Sequence, residues 1–259
     1  RATSSFMYLS QQPGGFQCSG STISWSGITS AMPSPPPVSF LCIGDVAQCT
    51  CAPPLPLHVS ASQCRGWVAG KPPVPPGDLL IHCGDFAPDG GSSVRLRAVE
   101  AFDQWLAAQP HKVKLVVRGN HDPRAVPFPK SKATYVTSPG VVEVAGTKFA
   151  FVPFTRRPQM ELPEGDVLVT HVPPKGVLDK TYSGERAGSH SLRQALERGR
   201  HRPQLWLCGH IHEARGACVV RFGGNAQPPT TVVNAANANT GRATHLTAGP
   251  MGCELRPRV

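Results

Sequence analysis

Long hydrophobic runs are missing from this chain. No stretch of its 259 residues approaches the roughly 20 apolar residues of a membrane-spanning helix, so no membrane partner is expected. A dense basic run is missing too. Lys and Arg outnumber Asp and Glu by 26 to 16, for a net charge of +10, yet the arginines are scattered and only three tyrosines are available for stacking. This excludes a dedicated nucleic-acid stripe and favours an anionic substrate or a generally basic surface. No internal repeat is visible, so a repeat array is excluded. Clustered thiolates are also scarce: Cys49, Cys51 and Cys64 have no fourth ligand at a zinc-knuckle spacing. The cysteine total is nine, an odd number, and Cys42, Cys83 and Cys208 lie within apolar strand-like runs. They read as buried free thiols of a reducing compartment, which implies a cytoplasmic location.

What is present divides the chain at about residue 38. Residues 1–37 are rich in Ser, Gly, Pro and Gln, lack apolar periodicity and close on Pro35-Pro36-Pro37, the composition of a disordered leader. The folded domain is expected over residues 38–259. Its first strand is Val38 to Ile43, ending at Gly44-Asp45, followed by a Pro/Cys/Ala-rich stretch with no assignable element. Leu79 to Cys83 is the next strand and stops at Gly84-Asp85. Residues 94–108 place Val94, Ala98, Ala101, Phe102, Trp105 and Leu106 on one helical face. Strands are then expected at Val113 to Val117, twice between Thr134 and Val152 with a turn near Ala145-Gly146, and at Asp166 to Thr170. A helix over Ser191 to Arg198 precedes strands at Gln204 to Cys208, Val219 to Phe222 and Thr231 to Asn234.

Five of these strands end in chemistry: Asp45, Asp85, Asn120-His121-Asp122, His171 and His210-Ile211-His212. Strand ends are where open α/β sheets bind ligands. Taken singly, each motif has a plain structural reading as a turn, a loop cap or a strand-end histidine. Jointly they do not, and the two imidazoles of His210-Ile211-His212 share one face of an extended segment. Imidazoles with carboxylates and one amide oxygen suit Mn, Fe or Zn. Two such ions sharing a carboxylate activate water and clamp the oxygens of a phosphoryl displacement.

The order GDLLIHCGDF, VVRGNHD, LVTH and LCGHIHE resembles the calcineurin-like metallophosphoesterase superfamily. The stretches FDQWLAAQPHKVKLVVRGNHD, DVLVTHVPPKGVLD and RPQLWLCGHIHEARG are similar to its branch of metallophosphoesterase-domain proteins related to class III cyclic-nucleotide phosphodiesterases. The resemblance implies an α/β (α+β) fold, a βαβ sandwich of two mixed sheets flanked by helices. It also implies a dinuclear centre of two divalent transition-metal ions (Mn, Fe or Zn) and a small phosphate-ester substrate such as a cyclic nucleotide.

Matched motif by motif, Asp85 resembles the bridging carboxylate, with Asn120, His171 and His210 completing one ion's ligands. Asp45 and His212 resemble ligands of the other. His121 resembles the group that contacts phosphate and protonates the leaving oxygen, oriented by Asp122, since an adjacent carboxylate favours the charged imidazole. One motif departs from the pattern: Asp45-Val46-Ala47 stands where the family has Asp-x-His, which implies one weakly held ion. The segment Phe151 to Thr155 is a shortened form of the branch's substrate wall. A degenerate member that binds phosphate ligands without turnover is the alternative reading.

Overall fold

Leu79-Leu80-Ile81-His82 is buried at all of its positions, so a layer must cover each face of this short strand. The alternation of side chains decides which layer meets which residue. Residues 77–87, 91–199 and 202–236 are described by the structure, a computed structural model, which elsewhere describes only the backbone of a few strands. Those strands are Met7–Tyr8 (β1), Ser10–Gln12 (β2), Gly15–Gln17 (β3), Val38–Ile43 (β4), Leu57–Ser60 (β5) and Met251–Leu255 (β15). Asp45, Cys49, Cys51 and Cys64 lie outside the described residues, as does most of the predicted leader.

Between β5 and β15 come β6 (Leu79–His82), α1 (Ser92–Ala107), β7 (Val113–Val117), β8 (Thr134–Val136), β9 (Gly140–Val144) and β10 (Thr147–Val152). They are followed by β11 (Val167–Thr170), α2 (His190–Arg198), β12 (Leu205–Cys208), a 3₁₀ turn (His212–Ala214), β13 (Gly216–Val220) and β14 (Thr230–Asn234). Two mixed sheets result. One runs β1-β15-β4-β5-β6-β7-β8, with β4 to β8 mutually parallel, and the other runs β13-β14-β12-β11-β10-β9 with antiparallel pairs at its edges.

The sheets pack face to face. Leu79, Ile81, Cys83, Leu115 and Val117 of the first meet Phe149, Phe151, Val167, Val169, Leu205, Leu207 and Val233 of the second. The alternate residues face outward and are covered by helices. Leu80 and Val116 pack with Val99, Phe102 and Leu106 of α1, while Leu168, Trp206 and Val232 pack with Leu192 and Leu196 of α2. Cys83 and Cys208 are buried within these layers, and neither is in a disulfide. This is the expected helix-flanked sandwich of two mixed sheets. No helix among the described residues is long and apolar enough to cross a membrane.

Two expectations are corrected. The stretch from Thr134 to Val152 holds three strands, and the first belongs to the other sheet: β8 pairs with β7, whereas β9 and β10 form the antiparallel hairpin. The hairpin turns at Ala145 and Gly146, both at positive φ (50° and 77°), as a two-residue hairpin loop requires. The buried stripe of α1 is also rotated from the expected face. Val94 is exposed, and Val99, Phe102, Asp103 and Leu106 point inward. Asp103 explains the rotation. Its carboxylate accepts the backbone N–H groups of Lys130 and Ser131 (both 2.9 Å) and the Ser131 hydroxyl (2.6 Å), so the helix turns a polar residue inward to tie down the loop before β8.

Hydrogen bonds to a buried carboxylate are worth more than neutral ones, so Asp103→Ala is expected to destabilise the fold by about 2–3 kcal/mol. Ser131→Ala, which removes a single hydroxyl, is expected to cost about 1 kcal/mol. Urea unfolding of the two variants measures both. Equal losses would show that the loop does not depend on Asp103.

Candidate metal centre

The strands of both sheets end along one edge of the sandwich, and the polar residues that follow β6, β7, β11 and β12 meet there. Gly84 follows β6 and Gly119 follows β7, and the two loops approach closely. A Cβ on Gly84 (φ +99°) would lie 2.7 Å from both the Gly119 nitrogen and His171 Nδ1, and one on Gly119 would lie 2.5 Å from the Asp85 nitrogen. Only glycines permit this approach. Asp85 and His210 themselves have positive φ (62° and 68°), a conformation that non-glycine residues keep where surrounding contacts enforce it.

Asp122 supplies part of that enforcement. Its Oδ2 accepts the N–H groups of Asp85 (2.7 Å) and Gly119 (2.8 Å), and its Oδ1 accepts that of Ala87 (3.0 Å). One buried carboxylate thus clamps the β6 and β7 exit loops together. Burial and the nearby charge of Asp85 push Asp122 up to about 6, against the pull of those amides. The contacts described for Asp122 make it a loop clamp, a role in addition to the one expected for it beside His121.

Asp85 and His171 form the centre. The Nδ1 of His171 is 2.7 Å from the Cys83 carbonyl, which only accepts, so Nδ1 carries the proton and Nε2 of the neutral ring presents a lone pair. Around Nε2 stand Asn120 Oδ1 at 2.8 Å, His210 Nδ1 at 3.1 Å and Asp85 Oδ2 at 3.2 Å. A proton on His210 Nδ1 relieves one of these contacts and leaves two oxygens facing a nitrogen lone pair. Asp85 Oδ2 is buried and makes no hydrogen bond among the described residues. Converging, unsatisfied lone pairs of this kind are the arrangement that a cation completes, and a carboxylate, an amide oxygen and two imidazoles suit a divalent transition metal. The residues present therefore fit such an ion.

The electrostatics agree. Burial opposes charge on Asp85, but His171 and His121 together hold the carboxyl down at about 2. Burial likewise opposes a charged His171, and Asp85 reverses the sign, raising it above the usual imidazole value. His210 is brought down to about 3 by burial and then by His171, so it stays neutral with a lone pair to give. Without a cation, the second proton of His171 goes to Nε2, so proton and metal compete for one atom.

Among the predicted residues, then, Asp85, Asn120, His171 and His210 come together, and the first, third and fourth have ligand atoms within 4.8 Å of one another. His121 lies beside them. Its N–H donates to Asp85 Oδ1 (3.0 Å), its Nε2 is 3.9 Å from Asp85 Oδ2, and its side chain is 23% exposed at the opening. His212 does not join the cluster. The extended segment expected for His210-Ile211-His212 is replaced by a turn: Ile211 N–H donates to the Gly209 carbonyl (2.8 Å), and His212 begins the 3₁₀ turn. Burial lowers the pKa of His212.

Asn234 went unnoticed in the sequence. Its buried amide donates to the carbonyls of Ile211 (2.8 Å) and Leu178 (3.2 Å), pinning the turn between the two histidines. Its place as the last residue of β14, alongside the other strand-end polar residues, was the available signal. Phe154, from the segment expected to form a shortened substrate wall, also stands at the site. Its ring stands edge-on to His171 (6.1 Å between centroids), and its backbone is bracketed by Arg118, whose carbonyl accepts Phe154 N–H (2.9 Å) and whose Nη1 donates to the Phe154 carbonyl (2.8 Å). A cavity of about 190 Å³ opens beside His171 and His210. A larger one, about 410 Å³ between residues 160–165 and α2, contains none of the ligand residues.

The calcineurin-like phosphoesterase family model matches residues 38–214, more than half of the chain, and the chain belongs to that family. A UPF0046 protein of Caenorhabditis elegans is 32% identical over 206 residues, covering 65% of this chain and 65% of its own length. Human metallophosphoesterase domain-containing protein 1 is 29% identical over 211 residues, covering 62% and 60%. An Emericella nidulans protein named "Probable rhamnogalacturonate lyase C" is 32% identical over 181 residues, 58% of this chain but 17% of that protein. The chain thus spans less than two thirds of each of these relatives.

Gly119→Ala is expected to leave the fold intact and to weaken Mn²⁺ binding by about 10- to 100-fold, because the new Cβ displaces Asp85. Circular dichroism and metal titration of the same sample check this, and unchanged affinity would show that the loops adjust. A second expectation concerns protons. Metal needs the His171 lone pair that the proton occupies, so loading releases protons and affinity rises with pH through the raised His171 value. Calorimetry in two buffers of different ionisation enthalpy counts them, and a buffer-independent heat would mean that the ring was already neutral.

Proposed function

We propose that the protein is a metal-dependent hydrolase of phosphate esters. The observation that carries this reading is the buried Asp85 Oδ2, without a hydrogen bond among the described residues and facing Asn120, His171 and His210 at the edge where both sheets end. A divalent ion held there supplies a Lewis acid for the phosphoryl oxygens and makes water a nucleophile near neutral pH. Asp85, Asn120, His171 and His210 hold it, with Asp45 and His212 proposed for a second, weaker ion as the family resemblance implies. His121, at the opening and anchored through its N–H on Asp85, is the proposed proton donor to the leaving oxygen. Asp122 and Asn234 position the loops that carry these groups. The substrates are proposed to be small phosphodiesters, with cyclic nucleotides among them, and the ions Mn, Fe or Zn.

The test is hydrolysis of bis-p-nitrophenyl phosphate by Mn²⁺-loaded protein. Wild type is expected to turn it over, and Asp85→Ala to abolish both metal binding and turnover. His121→Ala is expected to lower kcat by about 10²–10⁴-fold with metal content unchanged. Its deficit should shrink for esters with better leaving groups. Metal bound tightly without turnover would support a phosphate-binding protein, the reading that Ala47 in place of the family's histidine favours.

A further inference from the structure

The cavity of about 190 Å³ beside His171 and His210 has a one-sided lining. Arg157 is the permanently charged side chain among its described residues, and no carboxylate is among them. Gln159, Ser189 and Ser191 add hydrogen-bonding groups, and Phe154 forms an apolar wall. Other arginines of this half of the protein are already engaged. Arg186 pairs with Asp179 (2.9 Å), Arg193 with Glu197 (2.8 Å), and Arg118 with the Phe154 carbonyl (2.8 Å). The exposed guanidinium of Arg157 makes no ion pair or hydrogen bond among the described residues. Its backbone N–H donates to Thr155 Oγ1 (3.1 Å), and this turn continues directly from the Phe154 segment that Arg118 holds.

We infer that Arg157 is a specificity residue, receiving a second anionic group carried by the substrate next to its scissile phosphoester. The geometry gives the chemistry. The reacting phosphate belongs at the ligand cluster, and the adjoining cavity offers a cation, hydroxyls and an amide with no acidic neighbour. A planar guanidinium suits a carboxylate or a phosphate equally. The cavity is smaller than the roughly 300–1,000 Å³ typical of pockets for larger ligands, so the charged group sits on a short, compact fragment. The inference rests on the phosphoester reading of the adjacent centre.

Non-hydrolysable probes separate the two ideas. Mn²⁺-loaded protein is titrated calorimetrically with phenylphosphonate and with 4-carboxyphenylphosphonate, which differ by one carboxylate. Wild type is expected to bind the carboxylated probe about fivefold more tightly, the upper range for an exposed ion pair. Arg157→Met should bind the two probes equally, and Arg157→Lys should keep part of the preference. Arg156→Met, exposed and outside the lining, should keep all of it and so controls for general loss of positive charge. Equal affinities in wild type, or a preference surviving in Arg157→Met, would overturn the assignment. A preference without turnover of bis-p-nitrophenyl phosphate would retire the hydrolytic reading and leave the anion site standing. Turnover without a preference would do the reverse.

Discussion

Lone-pair repulsion at His171 Nε2 is the constraint on which the functional edge of this protein depends. The Cys83 carbonyl fixes the tautomer, and two oxygens and a further imidazole nitrogen are then held close to an atom with no proton to offer them. Such an arrangement persists only if the backbone enforces it and a positive charge relieves it. In the absence of metal that charge is the second proton of His171, stabilised by Asp85. A divalent cation relieves every contact at once, where a proton on Nε2 satisfies one oxygen.

Enforcement comes from backbone packing more than from the ligands. Gly84 and Gly119 bring two exit loops of the parallel sheet within a distance that no Cβ allows, and Asp122 fastens them through three N–H groups. On the other sheet, Asn234 fastens the turn that presents His210. Thr170 and Trp206 brace the same ends: the Trp206 indole donates to Thr170 Oγ1 (2.9 Å), which donates onward to the Val172 carbonyl (2.7 Å). Each sheet thus carries its own brace, and the ligand atoms meet where the braces face one another. The core between the sheets sets their separation, so burial of Leu79, Ile81, Phe149 and Val169 contributes to metal geometry as well as to stability.

Membership of the calcineurin-like phosphoesterase family agrees with this construction, since metal-dependent phosphoryl chemistry needs ligands drawn from several strand ends and a proton donor near the leaving group. Beside the centre lies ground of a different character. The segment after β10 carries Phe154 against the histidines and Arg157 in the cavity lining, with Arg118 tying it to the loop that bears Asn120. Arg118 thus joins the Phe154 segment to the loop that bears Asn120.

Much of this was legible in the sequence. Apolar runs and the polar residues closing them identified most of the strands and the candidate residues Asp85, Asn120, His171 and His210, because short apolar runs and their ends are properties of local sequence, while the two-sheet sandwich was implied by the family resemblance. Other features depend on residues distant in the chain. The inward turn of Asp103 required the loop at Lys130 and Ser131, and the transfer of β8 to the first sheet required its pairing with β7. The turn that separates His210 from His212 required Asn234, more than twenty residues away, to capture the Ile211 carbonyl. Asp122 is adjacent to His121 in sequence, and its oxygens also serve amides on two loops, because buried N–H groups must find acceptors wherever the chain brings them. Local pattern determined which residues carry the chemistry; long-range packing and hydrogen-bond satisfaction decided which of them meet.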